Sequence, residues 1–147
     1  MLKNLRLLEF EMHSYCNRKC EWCPNRDIDR TFFDKLNKDS FIRLLKDLKN
    51  NNFNGLLSFS RYSEHFYNPE LLIEYSDLIK KFLPEIDTKI HSNGDFITKD
   101  VLSKIHINRI LVTDYDNKSF EEIDKILSSW GVGISEIENN SRGIIFE

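Results

Sequence analysis

Short apolar runs that alternate with amphipathic helical periods, in a chain of 147 residues, predict an α/β fold. The strands are joined by helical stretches of about 10 to 15 residues, which implies a parallel sheet built from right-handed βαβ units. A closed eight-fold barrel needs at least about 200 residues. The expectation is therefore a partial, open parallel βα barrel of about five to six strands, TIM-barrel-like, in one domain spanning residues 1–147.

Each element has its own signal. "LRLLEFEM" (5–12) reads as a first strand, and a cysteine-bearing segment follows it as a loop. "DSFIRLLKDLKN" places Phe41, Leu44, Leu45 and Leu48 on one helical stripe, with Asp39 as its expected N-cap. "NGLLSFS" (54–60) is a second strand after a turn. "NPELLIEYSDLIKKFLP" is the clearest helix. Asn68 caps it, Pro69 suits its first turn, and Leu71, Leu72, Tyr75, Leu78, Ile79 and Phe82 form its apolar face. "DTKIHS" is a third strand, closed by the Asn93-Gly94 turn, and Thr98 opens a short helix. "NRILVT" is a fourth strand. Ser119 and Glu122 form a capping box ahead of Phe120, Ile123, Ile126 and Leu127. "VGISEI" is a fifth strand, and "RGIIF" a short sixth.

Composition narrows the function classes. Hydrophobic residues make up 40% of the chain and charged residues 31%, enough for one core. The net charge of -3 and a pI near 5.8 leave no basic excess to neutralise phosphates, so neither nucleic acid nor an anionic membrane is expected as partner. No apolar run reaches the roughly 18 residues of a membrane span. "MLKNLRLLEF" is too short and too charged for a signal peptide, so a cytoplasmic location is expected, where thiols stay reduced.

That location matters because Cys16, Cys20 and Cys23, the only cysteines, lie within eight positions, spaced C-x3-C-x2-C. An odd number cannot be consumed by disulfides. Structural zinc wants four ligands, which His13 or His65 would complete. An iron–sulfur cluster is held by thiolates, and three of them on a four-iron cluster leave one iron without a protein ligand. An open coordination position is where metal chemistry usually happens.

C-x3-C-x2-C just after a first strand, with Trp22 before the last cysteine, resembles the radical S-adenosylmethionine superfamily. The resemblance extends beyond the cysteines. The family's Gly-Gly-Glu-Pro segment after strand two is matched in place by "YSEHFYNPEL" (62–71), which keeps Glu64 but has Tyr62 and Ser63 for the glycines and His65 for the proline. A positive φ at Tyr62 would carry a steric penalty. The family's "TNG" after strand three is matched by Ser92, Asn93 and Gly94, and Arg142 in "NNSRG" stands where some members place an arginine toward the cofactor.

The resemblance implies a [4Fe–4S] cluster on Cys16, Cys20 and Cys23, with S-adenosylmethionine on the fourth iron. It implies cofactor contacts from Trp22, Glu64, Ser92, Asn93 and Arg142, Glu64 accepting from the cofactor ammonium. The implied activity is a radical enzyme that cleaves S-adenosylmethionine and abstracts hydrogen from a peptide or small-molecule substrate, with an external electron donor. No cysteines remain for an auxiliary cluster on this chain, which favours a compact member of the family and either redox-neutral chemistry or hydrogen abstraction followed by a partner-supplied electron. An open barrel edge calls for a homo-oligomer or a partner protein to cover it. The alternative is a non-catalytic iron–sulfur or zinc module derived from such a core.

Overall fold

The computed structural model describes residues 4–29, 33–116, 119–130, 136–137 and 143–146. Strands and helices alternate as β1 (Leu7–Phe10), α1 (Lys38–Asn50), β2 (Leu56–Phe59), α2 (Pro69–Phe82), β3 (Asp87–Ser92), α3 (Lys99–Leu102), β4 (Arg109–Thr113) and α4 (Phe120–Trp130). A 3₁₀ turn, His65–Tyr67, precedes α2, and two short strands, β5 (Glu136–Ile137) and β6 (Gly143–Phe146), come last. The sheet runs in the order β1-β2-β3-β4-β6-β5. Strands β1 to β4 are all parallel, with Leu7 opposite Leu56, Leu56 opposite Asp87 and Lys89 opposite Arg109.

The barrel expectation is overturned here. Beside β4 lies β6, and it is antiparallel to β4; β5 in turn is antiparallel to β6. A parallel pair needs a crossover of about a dozen residues or more. Only residues 138–142 separate β5 from β6, so the chain can return only as a hairpin. The result is an open α/β sheet of four parallel strands extended by an antiparallel pair.

The helices start where side chains satisfy the first free amides. Asn37, not Asp39, caps α1 by accepting from Ser40 N–H at 2.9 Å; Asp39 sits in the first turn, where its charge favours the helix dipole. Asn68 accepts from Leu71 N–H at 3.1 Å with Pro69 following it, and Thr98 accepts from Val101 N–H at 3.3 Å. The capping box forms as expected. Ser119 N–H donates to Glu122 Oε2 at 2.7 Å, and Glu122 N–H donates to Ser119 Oγ at 3.2 Å.

Successive strand residues face opposite sides. Phe10, Met12, Leu57, Phe59, Ile90, Ile110 and Val112 form one core with Phe41, Leu45 and Leu48 of α1, Leu72, Tyr75 and Ile79 of α2, and Leu127 of α4. Phe10 packs on Phe41 and Phe59, and Phe41 on Tyr75, with ring centroids 4.5–5.0 Å apart. The other side chains of the same strands are of a different kind: Glu9 and Glu11, Ser58 and Ser60, Lys89 and His91, Arg109 and Thr113. One face of the sheet is apolar and covered by helices; the opposite face is mostly polar, with Leu7, Leu56 and Leu111 also on it. Among the described residues no helix is long and apolar enough to cross a membrane.

Candidate functional site

The loop after β1 leaves the sheet and returns to it through a closed neck. Leu36 N–H donates to Met12 O at 2.8 Å and Ser14 N–H to Asp34 O at 3.0 Å, with His13 bridged to Lys35. Inside that loop two tight turns set the cysteines: Cys23 N–H bonds Cys20 O and Arg26 N–H bonds Cys23 O, each at 3.0 Å. No disulfide joins the three cysteines, and all are partly buried. Burial pushes the Cys20 thiol up, and the neighbouring Cys16 adds to it; Arg18 acts in the opposite direction.

All three cysteines line a cleft of about 330 Å³ at the C-terminal ends of β1 to β4, together with Trp22, Glu64, Ser92 and Asn93. That is where ligands bind on open parallel sheets, and the volume lies at the lower end of ordinary ligand pockets. The structure thus brings seven of the eight residues singled out from the sequence into one cleft. Arg142 lies outside the described residues. Trp22 lines the cleft but remains 68% exposed, its ring 5.5 Å from that of Tyr115.

Glu64 has partners within the chain. Its side chain is 2% exposed. Ser92 Oγ donates to Oε1 at 2.8 Å, Phe66 N–H to Oε1 at 3.1 Å and Asn93 N–H to Oε2 at 2.7 Å. Burial holds this carboxyl above the ordinary range although the three donors oppose the shift. Glu64 therefore fixes the Ser92–Asn93–Gly94 turn rather than reaching freely into the cleft. Gly94 completes that turn at φ +83°, where a Cβ would sit 3.0 Å from Val112 Cγ1.

Strain at the glycine-poor segment falls one residue before the expected position. Among the described residues only Asn52 and Arg61 are non-glycine residues at positive φ; Arg61 sits at φ 113°, and Tyr62 does not share the penalty. The turn is gripped by Glu11, whose Oε1 accepts from Tyr62 N–H at 2.6 Å and Ser63 N–H at 2.8 Å.

Sequence reasoning missed the main strut of the cysteine loop, Arg18. Its Nε and Nη2 bond both oxygens of Asp95 at 2.7 and 2.6 Å, and its Nη1 and Nη2 bond those of Asp116, both at 2.9 Å. The guanidinium also lies 5.7 Å from the centroid of the Tyr115 ring. Asn17 adds a bond to Asp95 at 2.7 Å and receives one from Asn93 at 2.9 Å. A residue between the first two cysteines is thereby tied to the ends of β3 and β4. Paired carboxylates push the Arg18 guanidinium up, and Arg18 holds Asp95 low. The only sequence signal was an arginine within the motif; its partners lie 77 and 98 positions away.

Two buried histidines flank this loop. His65 is 0% exposed and His13 2%, with ring centroids 5.8 Å apart. His13 Nδ1 accepts from Tyr15 N–H at 3.2 Å. Among the described residues no partner meets His13 Nε2 or either nitrogen of His65. Burial lowers His65 to about 3 and also lowers His13. A pair without acidic or cysteine neighbours converging on it makes no metal site, so zinc completed by these histidines has no geometric support.

No family model matches the chain. The S-adenosyl-L-methionine-dependent 2-deoxy-scyllo-inosamine dehydrogenase of Niallia circulans is 30% identical over 122 residues, covering 78% of this chain and 47% of that protein. A crystal structure of BtrN in complex with AdoMet and 2-DOIA superposes with a TM-score of 0.68 at 26% identity, over 81% of this chain and 50% of that one. BtrN in an open conformation gives 0.62 at 28% identity, over 80% and 54%. The chain spans about half the length of the relatives it matches.

Proposed function

We propose that this chain carries the cofactor site of a radical S-adenosylmethionine enzyme. One observation carries the reading. The three thiols of C-x3-C-x2-C line a single cleft at the C-terminal ends of four parallel strands. The similarity to an S-adenosylmethionine-dependent dehydrogenase extends over most of the chain and supports it.

The donor set fits a cubane cluster. Among the described residues no three His, Cys, Asp or Glu side chains converge tightly enough to hold one metal ion. Cluster thiolates stand further apart, because each takes a separate iron. Cys16, Cys20 and Cys23 would hold the cluster. When bound, it supplies the single electron that splits the sulfonium C–S bond of S-adenosylmethionine and so yields the radical that abstracts hydrogen from substrate.

The chain's own residues do the rest. Arg18, braced by Asp95 and Asp116, holds the cysteine loop against the ends of β3 and β4. Glu64 sets the Ser92–Asn93 turn that forms the cleft wall. Glu11 turns the amides of Tyr62 and Ser63 toward itself. In a planar trans peptide the carbonyls of Arg61 and Tyr62 then point the opposite way, where they can accept from an ammonium group. Trp22 and Tyr115, their ring centroids 5.5 Å apart, line the same cleft as the thiols. The electron comes from an external donor.

Anaerobic reconstitution tests the proposal. The expected result is about four irons per chain with a cubane-type spectrum, an altered spectrum on adding S-adenosylmethionine, and 5′-deoxyadenosine after reduction. Cys16→Ala, Cys20→Ala and Cys23→Ala should each abolish all three. A spectrum indifferent to S-adenosylmethionine, or zinc retained without colour, would sink the reading in favour of a non-catalytic metal module.

A further inference from the structure

The cysteines, the Ser92–Asn93 turn and the Tyr62–Ser63 turn account for the upper wall of the cleft. Its floor has a different origin. Each of the four parallel strands sends one polar side chain from the face opposite the helices into the same cleft: Glu9 from β1, Ser60 just past β2, His91 from β3 and Thr113 from β4. Strand alternation puts them on one side, since Phe10, Phe59, Ile90 and Val112 next to them all enter the core. The chain continues the ladder as far as Ser60, whose N–H donates to Phe10 O at 3.2 Å.

These groups are organised. Glu9 Oε1 accepts from Ser60 Oγ at 2.8 Å, Ser60 Oγ is bonded to Ser58 Oγ at 3.2 Å, and the second Glu9 oxygen pairs with Arg61. Ser58 and Ser60 are 0% and 4% exposed. Arg61 reaches Glu9 from a backbone at φ 113°, a strained conformation of a kind that clusters at functional sites. Glu11, two residues along β1 from Glu9, grips the amides after Arg61 and keeps that conformation in place. Burial lowers His91, which leaves its ring neutral near pH 7, able to donate from one nitrogen and accept at the other.

We infer that Glu9, Ser60, Arg61, His91 and Thr113 form the substrate floor of this cleft and that its substrate is a small polyhydroxylated molecule. The chemistry of the floor selects that class. Glu9 and Arg61 neutralise one another, so the floor offers no excess charge for a phosphate or a polyacid. The floor itself carries no aromatic side chain; Trp22, Tyr62 and Tyr115 line other parts of the same cleft, beside the cofactor groups. The floor offers donors and acceptors at close spacing on five side chains, which matches a ring of hydroxyls that each donate and accept. The floor extends the cofactor reading, and it is testable apart from it.

The test is saturation-transfer NMR on the full chain, without and with bound S-adenosylmethionine, using myo-inositol as probe and glutarate and trialanine as controls of similar size. The expected result is transfer to myo-inositol alone, with affinity at least about tenfold weaker in Glu9→Gln and in His91→Leu, since hydrogen bonds to a charged or buried group are lost. Lys104→Ala, far from the cleft, should bind as wild type does. Thermal unfolding identifies a variant that fails to fold, and Thr113→Val then serves as the third floor variant. Equal transfer to trialanine or glutarate, or floor variants that hold myo-inositol as tightly as wild type, overturns the assignment. Failure to bind S-adenosylmethionine while myo-inositol still binds would instead remove the cofactor reading and leave the floor standing.

Discussion

His65 offers a direct check on how the loop beneath the cleft is built. Its ring is fully buried, packs edge-on against Phe59, and has no partner for either nitrogen among the described residues. Burial depresses it from 6.5 to about 3, with His13 and His91 acting in the same direction. A base whose folded pKa lies below its unfolded value contributes its full stability above the unfolded pKa. That contribution is lost as pH falls toward the folded one. Between pH 7.5 and 4.5 the unfolded chain takes up a proton at this histidine and the folded chain does not. At 1.36 kcal/mol per unit, the 2 units from 6.5 to 4.5 cost the wild type about 2.7 kcal/mol. His65→Leu removes the titrating group and two unpaired buried nitrogens at similar volume, so at pH 7.5 the variant should lie within about 1 kcal/mol of wild type. At pH 4.5 the gap should have moved in the variant's favour by the same amount, about 2.7 kcal/mol. Urea unfolding of the metal-free chain, followed by the fluorescence of buried Trp130, measures both. A stability gap that stays constant to within about 0.5 kcal/mol across this range would refute the claim that the folded state excludes the His65 proton.

Arg18→Ala should open the cysteine loop. The lost pair of bidentate contacts is partly exposed and contributes on the order of 2 kcal/mol, so proteolysis within 14–34 should quicken and iron uptake on reconstitution should fall severalfold; Arg18→Lys restores only part, because an ammonium cannot bridge two carboxylates in a plane. Glu64→Gln turns an amide toward a donor it must accept from, Asn93 N–H or Ser92 Oγ, which should cost about 1–3 kcal/mol in unfolding and weaken S-adenosylmethionine binding measured by calorimetry. Gly94→Ala forces a Cβ onto φ +83° and against Val112, so the midpoint of thermal unfolding should drop by several degrees, corresponding to about 1–2 kcal/mol.

Local signals were the legible ones. Asn68 with Pro69, Thr98 and the Ser119–Glu122 box all act within four residues, and each caps the helix it was expected to cap. The placement of Cys16, Cys20 and Cys23 above the sheet followed from a strand ending just before them. At α1 the expected cap, Asp39, lies inside the helix, because Asn37 two residues earlier reaches Ser40 N–H and starts it sooner. The barrel failed for a reason of chain length. The alternation of strands and helices that implied a parallel sheet stops after α4, and the five residues that connect β5 to β6 are too few for a parallel crossover. Arg18, Glu11 and Glu64 act on partners 28 to 98 positions away, and no spacing in the chain announces such pairs. One signal was present and unread. Glu9/Glu11, Ser58/Ser60 and Lys89/His91 alternate with apolar residues in strands that pair in parallel.

That alternation is unusual for the fold and explains where the chemistry sits. Parallel sheets are generally covered on both faces and their strands read as continuous apolar runs. Here most of the apolar residues serve the helix-packed face, and on the other the strands place carboxylates, hydroxyls and an imidazole beside Leu7, Leu56 and Leu111. Burying Ser58, Ser60 and part of Glu9 without partners would cost several kcal/mol. The partners found are one another and Arg61, so the same bonds that satisfy the face also arrange it. Arg18 follows the opposite logic one level above. It lies close enough to Cys20 to favour the thiolate, yet burial and the neighbouring Cys16 outweigh it and the thiol is still pushed up. With Asp95 and Asp116 taking its charge, Arg18 acts on the cysteine loop as a brace far more than as a positive field. A cleft braced above by one shared cation and floored below by a self-satisfied polar row can keep its shape before any ligand arrives.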